Sequence, residues 1–136
     1  MAYITQSDIE DVFGVTNVSV WSNLQNDSTS ADTSRITTAI AYAEQEVNDR
    51  FRMSMYQVPF TESESGGLYP VKNWCAVLAG AWLFRSRLLR GQGGDGAALI
   101  VGQRSAALNE MDEYLSGARQ LGCAFKSDQS EAPMIV

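Results

Sequence analysis

The sequence predicts an all-α fold: a compact bundle of three long helices plus short N-terminal helices. Ile36, Ile40, Ala43, Val47 and Phe51 recur at intervals of 4, 3, 4 and 4, which is one continuous helical face. No residue from Trp74 to Phe84 is charged, and Pro70 suits a first helical turn, so a helix over about 70–90 should be buried on most sides. A third long helix is expected over about 97–118, with Leu99 or Ile100, Gln103, Ala107, Met111, and Tyr114 or Leu115 turned inward. The 136 residues, 45% of them hydrophobic, make about one domain with enough apolar surface for one core.

Taken in order, Ser7-Asp8-Ile9-Glu10 reads as a capping box that opens a short first helix, and Gly14 is placed to end it. Residues 15–24 are ambiguous: Val18, Trp21 and Leu24 have helical spacing among several poor helix formers. Asn26 to Ser30 is a polar loop, and Asp32 is the expected N-cap of the first long helix. Residues 53–69 are too many for a simple interhelical turn and are expected to project from the body. Alternating Tyr56, Val58 and Phe60 allow a short extended piece there, which Pro59 weakens. A glycine-rich run, Gly91 to Gly96, separates the last two long helices. After Gly122 no period continues, and Pro133 opposes a return to helix. The expected organisation is therefore a helical domain over 1–120 and an extended C-terminal arm over 121–136. Ile40, Val47, Trp74, Leu78, Trp82 and Met111 are the expected core.

Composition narrows the function. The chain has no histidine, which removes the commonest general base and the commonest zinc ligand. Two cysteines, Cys75 and Cys123, cannot make a structural zinc site by themselves and read as buried free thiols. No catalytic residue, metal ligand or cofactor-binding residue is assigned, and neither a membrane span nor a signal peptide is read. A net charge of −6 argues against nucleic acid as the main partner. The charge is unevenly placed. Asp8, Glu10, Asp11, Asp27 and Asp32 share residues 1–34 with no base, whereas Lys72, Arg85, Arg87 and Arg90 share residues 71–94 with no acid.

Most motifs reduce to ordinary structure. Gly91-x-Gly93-x-x-Gly96 spells a dinucleotide fingerprint, but a helix precedes it where the fingerprint needs a strand, so it reads as a linker. Glu44, Glu46 and Asp49, and likewise Glu110, Asp112 and Glu113, read as a solvated or intersubunit ion-pairing face. Arg85, Arg87 and Arg90 complement a helix C-terminus and are candidate subunit contacts together with Glu110 and Glu113. Trp74 and Trp82 read as core or as intersubunit anchors.

The opening Met-Ala-Tyr-Ile-Thr-Gln-Ser-Asp-Ile-Glu-Asp-Val-Phe-Gly, the stretch Ala-Tyr-Ala-Glu-Gln-Glu-Val-Asn-Asp-Arg-Phe ending at Phe51, Tyr56-Gln57-Val58-Pro59-Phe60, and Pro70-Val71-Lys72 opening an Ala-rich helix that ends in Phe84-Arg85 follow one another in a familiar order. In order and spacing, over about residues 1–115, the chain resembles the small head–tail connector proteins of tailed bacteriophages, also called adaptor or head-completion proteins. It departs from them in a longer, more polar Glu62 to Gly67 and in the glycine-rich Gly91 to Gly96. The resemblance implies a non-enzymatic subunit of the virion neck, assembled in the host cytoplasm as a ring of typically twelve copies beneath the portal protein. Such a ring extends the channel through which genomic DNA passes without specific binding, and it offers a docking surface to a tail-side stopper or tail-terminator protein. Tyr56, Val58 and Phe60 would then anchor the 53–69 loop to the channel or to a neck partner, and Phe125, Met134, Ile135 and Val136 would be the portal-gripping part of the arm. The competing reading is a small helical DNA-binding or regulatory module. It would need a basic recognition helix, and Val71 to Phe84 is too apolar for one.

Overall fold

In the computed structural model, residues 3–23, 30–88 and 97–126 are described, with the side chains of 87 and 88 excepted. The described residues are all-helical, with five helices and no strand: α1 Gln6–Phe13, α2 Val15–Ser22, α3 Thr33–Phe51, α4 Tyr69–Leu88 and α5 Ala97–Leu115. Helix α4 is the axis, and the other four helices pack on it. Its sequence explains why. Val71, Trp74 to Ala81, Leu83 and Phe84 are all buried, so α4 presents apolar or small side chains around nearly its whole circumference.

Helix α1 begins two residues earlier than the Ser7 box predicts. Thr5 is the N-cap, in extended backbone, and the Asp8 carboxylate reaches back to accept from the Thr5 amide at 2.8 Å. The earlier start follows from Tyr3 and Ile4, which are buried and fix the entry of the chain. Gly14, at φ 92°, ends α1 and starts α2, a conformation that L side chains rarely adopt. The ambiguous segment after it is helical, held by Trp21, whose ring packs edge-on against Phe13 at 5.3 Å and Phe84 at 5.2 Å. Gly80 permits this approach, because a Cβ there would overlap the Phe13 ring.

Helix α3 starts at the expected cap, with Asp32 accepting from the Arg35 amide at 3.2 Å. Its buried stripe is Ile36, Ala39, Ala43, Val47 and Phe51, so Ile40 is only half-buried, a correction to the expected core. Trp82 is likewise half-buried, whereas Val47, Trp74, Leu78 and Met111 are buried as expected. In α5 the inward residue of the first turn is Ile100, and Leu99 and Val101 face out. The helix stops at Leu115, two residues before Gly117 takes a positive φ of 91°.

The connection 53–69 does not stand off from the body as expected. Tyr56 and Phe60 are each 1% exposed. Their rings pack on Phe51 at 6.0 and 5.2 Å, and Phe51 stacks on Trp74 at 5.6 Å. Burial of two aromatic side chains outweighs the polar character of Glu62 to Ser65, which stay exposed, while Gly67 is buried against Gly122. The expected boundary at residue 121 also moves. Residues 121–126 run antiparallel to the connection, with bridges pairing Tyr56 with Phe125 and Glu62 with Cys123. Leu121 and Cys123 are buried in the shared core, and the Leu121 amide donates to the Tyr56 hydroxyl at 2.7 Å. Ser63 and Glu64 amides both donate to the Gly122 carbonyl, and the Ala124 amide donates to Thr61 at 2.7 Å. The apolar face that a packed tail needs is supplied by alternation over three residues, too few to register as a period.

Candidate subunit-contact surface

The N-terminal segment, helix α3 and the 53–69 connection meet in one buried knot. Tyr3 and Ile4 amides donate to the Glu44 carboxylate of α3, the Tyr3 hydroxyl donates to Asn48 Oδ1 at 2.8 Å, and the Phe60 amide donates back to that hydroxyl at 2.9 Å. Glu44 is therefore a buried carboxylate with backbone partners, a lock for the N-terminal segment rather than a member of a solvated acid cluster. Burial raises the Tyr3 hydroxyl above its ordinary pKa, and the same holds for Tyr56. Burial and the nearby Glu44 push the Cys75 thiol far up, and burial with Glu62 pushes Cys123 up to about 11. Both thiols are free and protonated at neutral pH, which leaves no nucleophile there.

The residues singled out from sequence do not gather at one place. Arg85 is exposed on α4. The Arg87 side chain and all of Arg90 lie outside the described residues. Glu110 accepts from Trp74 Nε1 at 2.9 Å and sits 3.9 Å from Arg119, while Glu113 lies 3.4 Å from the same guanidinium. These two acids are thus engaged within the chain. Of the three loop residues, Tyr56 and Phe60 serve the core and Val58 is half-buried, so the expected anchoring of a partner by the two aromatic rings is corrected: both rings are spent inside the molecule. Phe125 is partly exposed and packs on Tyr56 at 5.4 Å. Met134, Ile135 and Val136 lie outside the described residues.

What the sequence reading missed is a cationic and aromatic face on the α3–α4–α5 side. Tyr42, 59% exposed, stacks on Trp82 with centroids 5.4 Å apart and planes at 24°. The Arg35 guanidinium lies 4.5 Å from the Trp82 ring centroid. A shallow recess of about 40 Å³ beside this stack is lined by Tyr42, Ala43, Glu46, Leu78, Trp82, Arg85 and Arg104. Glu46 is held by Arg104 at 3.0 Å and by Arg50 at 3.9 Å. Arg35 and Arg85 have no carboxylate within ion-pair distance among the described residues, and Arg35 Nε is buried without a hydrogen-bond partner. The available signal was the stripe Arg35, Tyr42, Glu46 along one helix, which lies off its apolar face.

On the other flank of α5 two grooves of about 250 and 290 Å³ adjoin at Val12 and Gln103, between α5 and the α1–α2 pair. Their walls are mostly apolar, and among the described residues Glu110 is the one ionisable residue lining them. Among the described residues no group of three His, Cys, Asp or Glu side chains could hold a metal ion, and no helix is long and apolar enough to cross a membrane. The arrangement offers surfaces for contact on two sides of the bundle. No protein-family model, curated protein or solved structure matches the chain.

Proposed function

We propose that the chain is a structural subunit of a bacteriophage neck, an adaptor that assembles as a ring under the portal, extends the DNA channel and gives the tail or a stopper its docking surface. The observation that supports this reading most is the knot around Tyr3. The N-terminal segment, the Glu44–Asn48 turn of α3 and the Tyr56-Gln57-Val58-Pro59-Phe60 stretch resemble the connector family in sequence, and in this fold they interlock through Glu44, Asn48 and the Tyr3 hydroxyl. A resemblance carried by residues that hold one another in place is a resemblance of scaffold, which is what a shared structural role requires. The bundle of three long helices with its connecting loop and a C-terminal arm is the finer architecture that goes with this reading. Arg35 and Arg85, without a carboxylate partner among the described residues and on one face of an acidic chain, fit a subunit that meets its neighbour through unlike surfaces. Immunogold labelling of virions tests the assignment. Label at the junction of capsid and tail is expected, and label confined to unassembled protein would overturn it.

A further inference from the structure

We propose that the Trp82 face receives the acidic outer side of helix α1 from a second copy of this chain. The inference deepens the self-assembling reading above by naming the two surfaces that meet. It starts from charge accounting. Among the arginines whose side chains are described, Arg50, Arg52, Arg104 and Arg119 each lie within 4.0 Å of a carboxylate of the same chain. The two that do not, Arg35 and Arg85, both flank Trp82. The complementary deficit is on α1. Asp8 is engaged only with Thr5, Glu10 only with Gln6, and Asp11 is exposed, so none of the three has a cationic partner among the described residues. Two arginines without a carboxylate partner flank Trp82 and three acids without a cationic partner share α1, so among the described residues these two surfaces are complementary in charge.

Geometry keeps the two surfaces apart on one molecule. On α4, Asn73, Val77, Gly80 and Phe84 form the stripe toward α1 and α2, since Gly80 touches Phe13, Phe84 touches Trp21, and Asn73 and Val77 share a groove with Val12. Leu78, Trp82 and Arg85 lie on the opposing side of the same helix at 100° per residue. The basic face and α1 therefore point away from each other and cannot close in one chain. Two copies satisfy each other head to tail, and the contact propagates, as a heterologous interface does. Exposed ion pairs add only about 0–1 kcal/mol each, so the apolar part matters. Tyr42 stacked on Trp82 supplies it on one side, and Val15, 63% exposed just after α1, supplies it on the other.

The test is a charge swap in the full chain, read by sedimentation velocity over a concentration series. Arg85→Glu and Asp11→Arg each change an exposed side chain, and each variant alone should associate at least roughly tenfold more weakly than the parent. An equimolar mixture should regain the parent's association, because each junction then pairs opposite charges. The neutral pair Arg85→Gln and Asp11→Asn, with unchanged helical circular dichroism, guards against a folding defect and should show a smaller loss in the same direction. A monomeric parent, variants that associate like the parent, or a mixture that fails to recover would each overturn the proposal. So would an Arg85→Glu chain that keeps self-association but loses salt-sensitive retention of duplex DNA, since the face would then belong to nucleic acid. Virion labelling at the neck with charge-neutral association removes this interface alone. Absence from the neck with full recovery on mixing removes the neck assignment alone.

Discussion

Gly67→Ala puts the packing of the C-terminal segment to a single-atom test. A Cβ on Gly67 would overlap the Gly122 carbonyl oxygen and lie 2.6 Å from its carbon and 3.0 Å from its Cα. The obstacle is backbone, and that carbonyl already accepts from Ser63 at 2.9 Å and Glu64 at 3.2 Å, so no rotamer change relieves the overlap. Overpacking commonly costs about 1–3 kcal/mol, and a rigid obstacle belongs in the upper part, about 2–3 kcal/mol. For a domain of this size that is a fall in Tm of about 6–12 °C. Urea unfolding supplies the free energy, and hydrogen exchange at the Ser63, Ala124 and Lys126 amides supplies the location, because these bonds tie residues 121–126 to the loop. Gly102→Ala is the internal control. It lies in the middle of α5 with nothing within 4 Å of its Cβ position, and it should stabilise by about 0.5–1 kcal/mol. A loss under about 0.5 kcal/mol at Gly67, with the three amides still protected, would refute the claim that residues 121–126 belong to the domain core.

Leu78→Ala should cost about 2–5 kcal/mol in urea unfolding, since the side chain is buried between α3 and α4; a cost below about 0.5 kcal/mol would remove α4 from the centre of the fold. Glu44→Ala strips two buried amides of their acceptor and should cost about 1–3 kcal/mol or more, with new protease cleavage before α1. The folded chain holds Tyr3, Tyr56, Cys75 and Cys123 protonated above their ordinary values, so the unfolded chain releases those protons first as pH rises. Each contribution is full below the group's ordinary pKa and falls as pH rises above it; that of Cys123 is full below about pH 9 and lost on going up through about 11, where it titrates in the fold. A urea midpoint that stays level to pH 11 contradicts this, and Cys123→Ala should make the alkaline slope shallower.

Helical period carried most of the fold into view. Asp32, Val47, Trp74, Leu78 and Met111 stand where spacing and capping place them, because regular period and a buried axis coincide there. Two things were not legible. Leu121 and Cys123 are buried by pairing with the connection more than 55 positions earlier, and no local pattern encodes such pairing. Glu44 looked like one acid in a solvated run, and only the return of the N-terminus past α3 makes it a buried acceptor. The Trp82 face shows the same limit. Arg85 was visible at the end of an apolar helix, but Arg35, Tyr42 and Arg104 join it only once three helices pack side by side.

Assembly on a portal is the central claim, and electron microscopy of the purified full chain, alone and mixed with portal rings, tests it most directly. An added annular layer coaxial with the portal, absent when Arg85→Glu replaces the parent chain, is the expected result. Portal rings that remain bare at every ratio of the two proteins would contradict it.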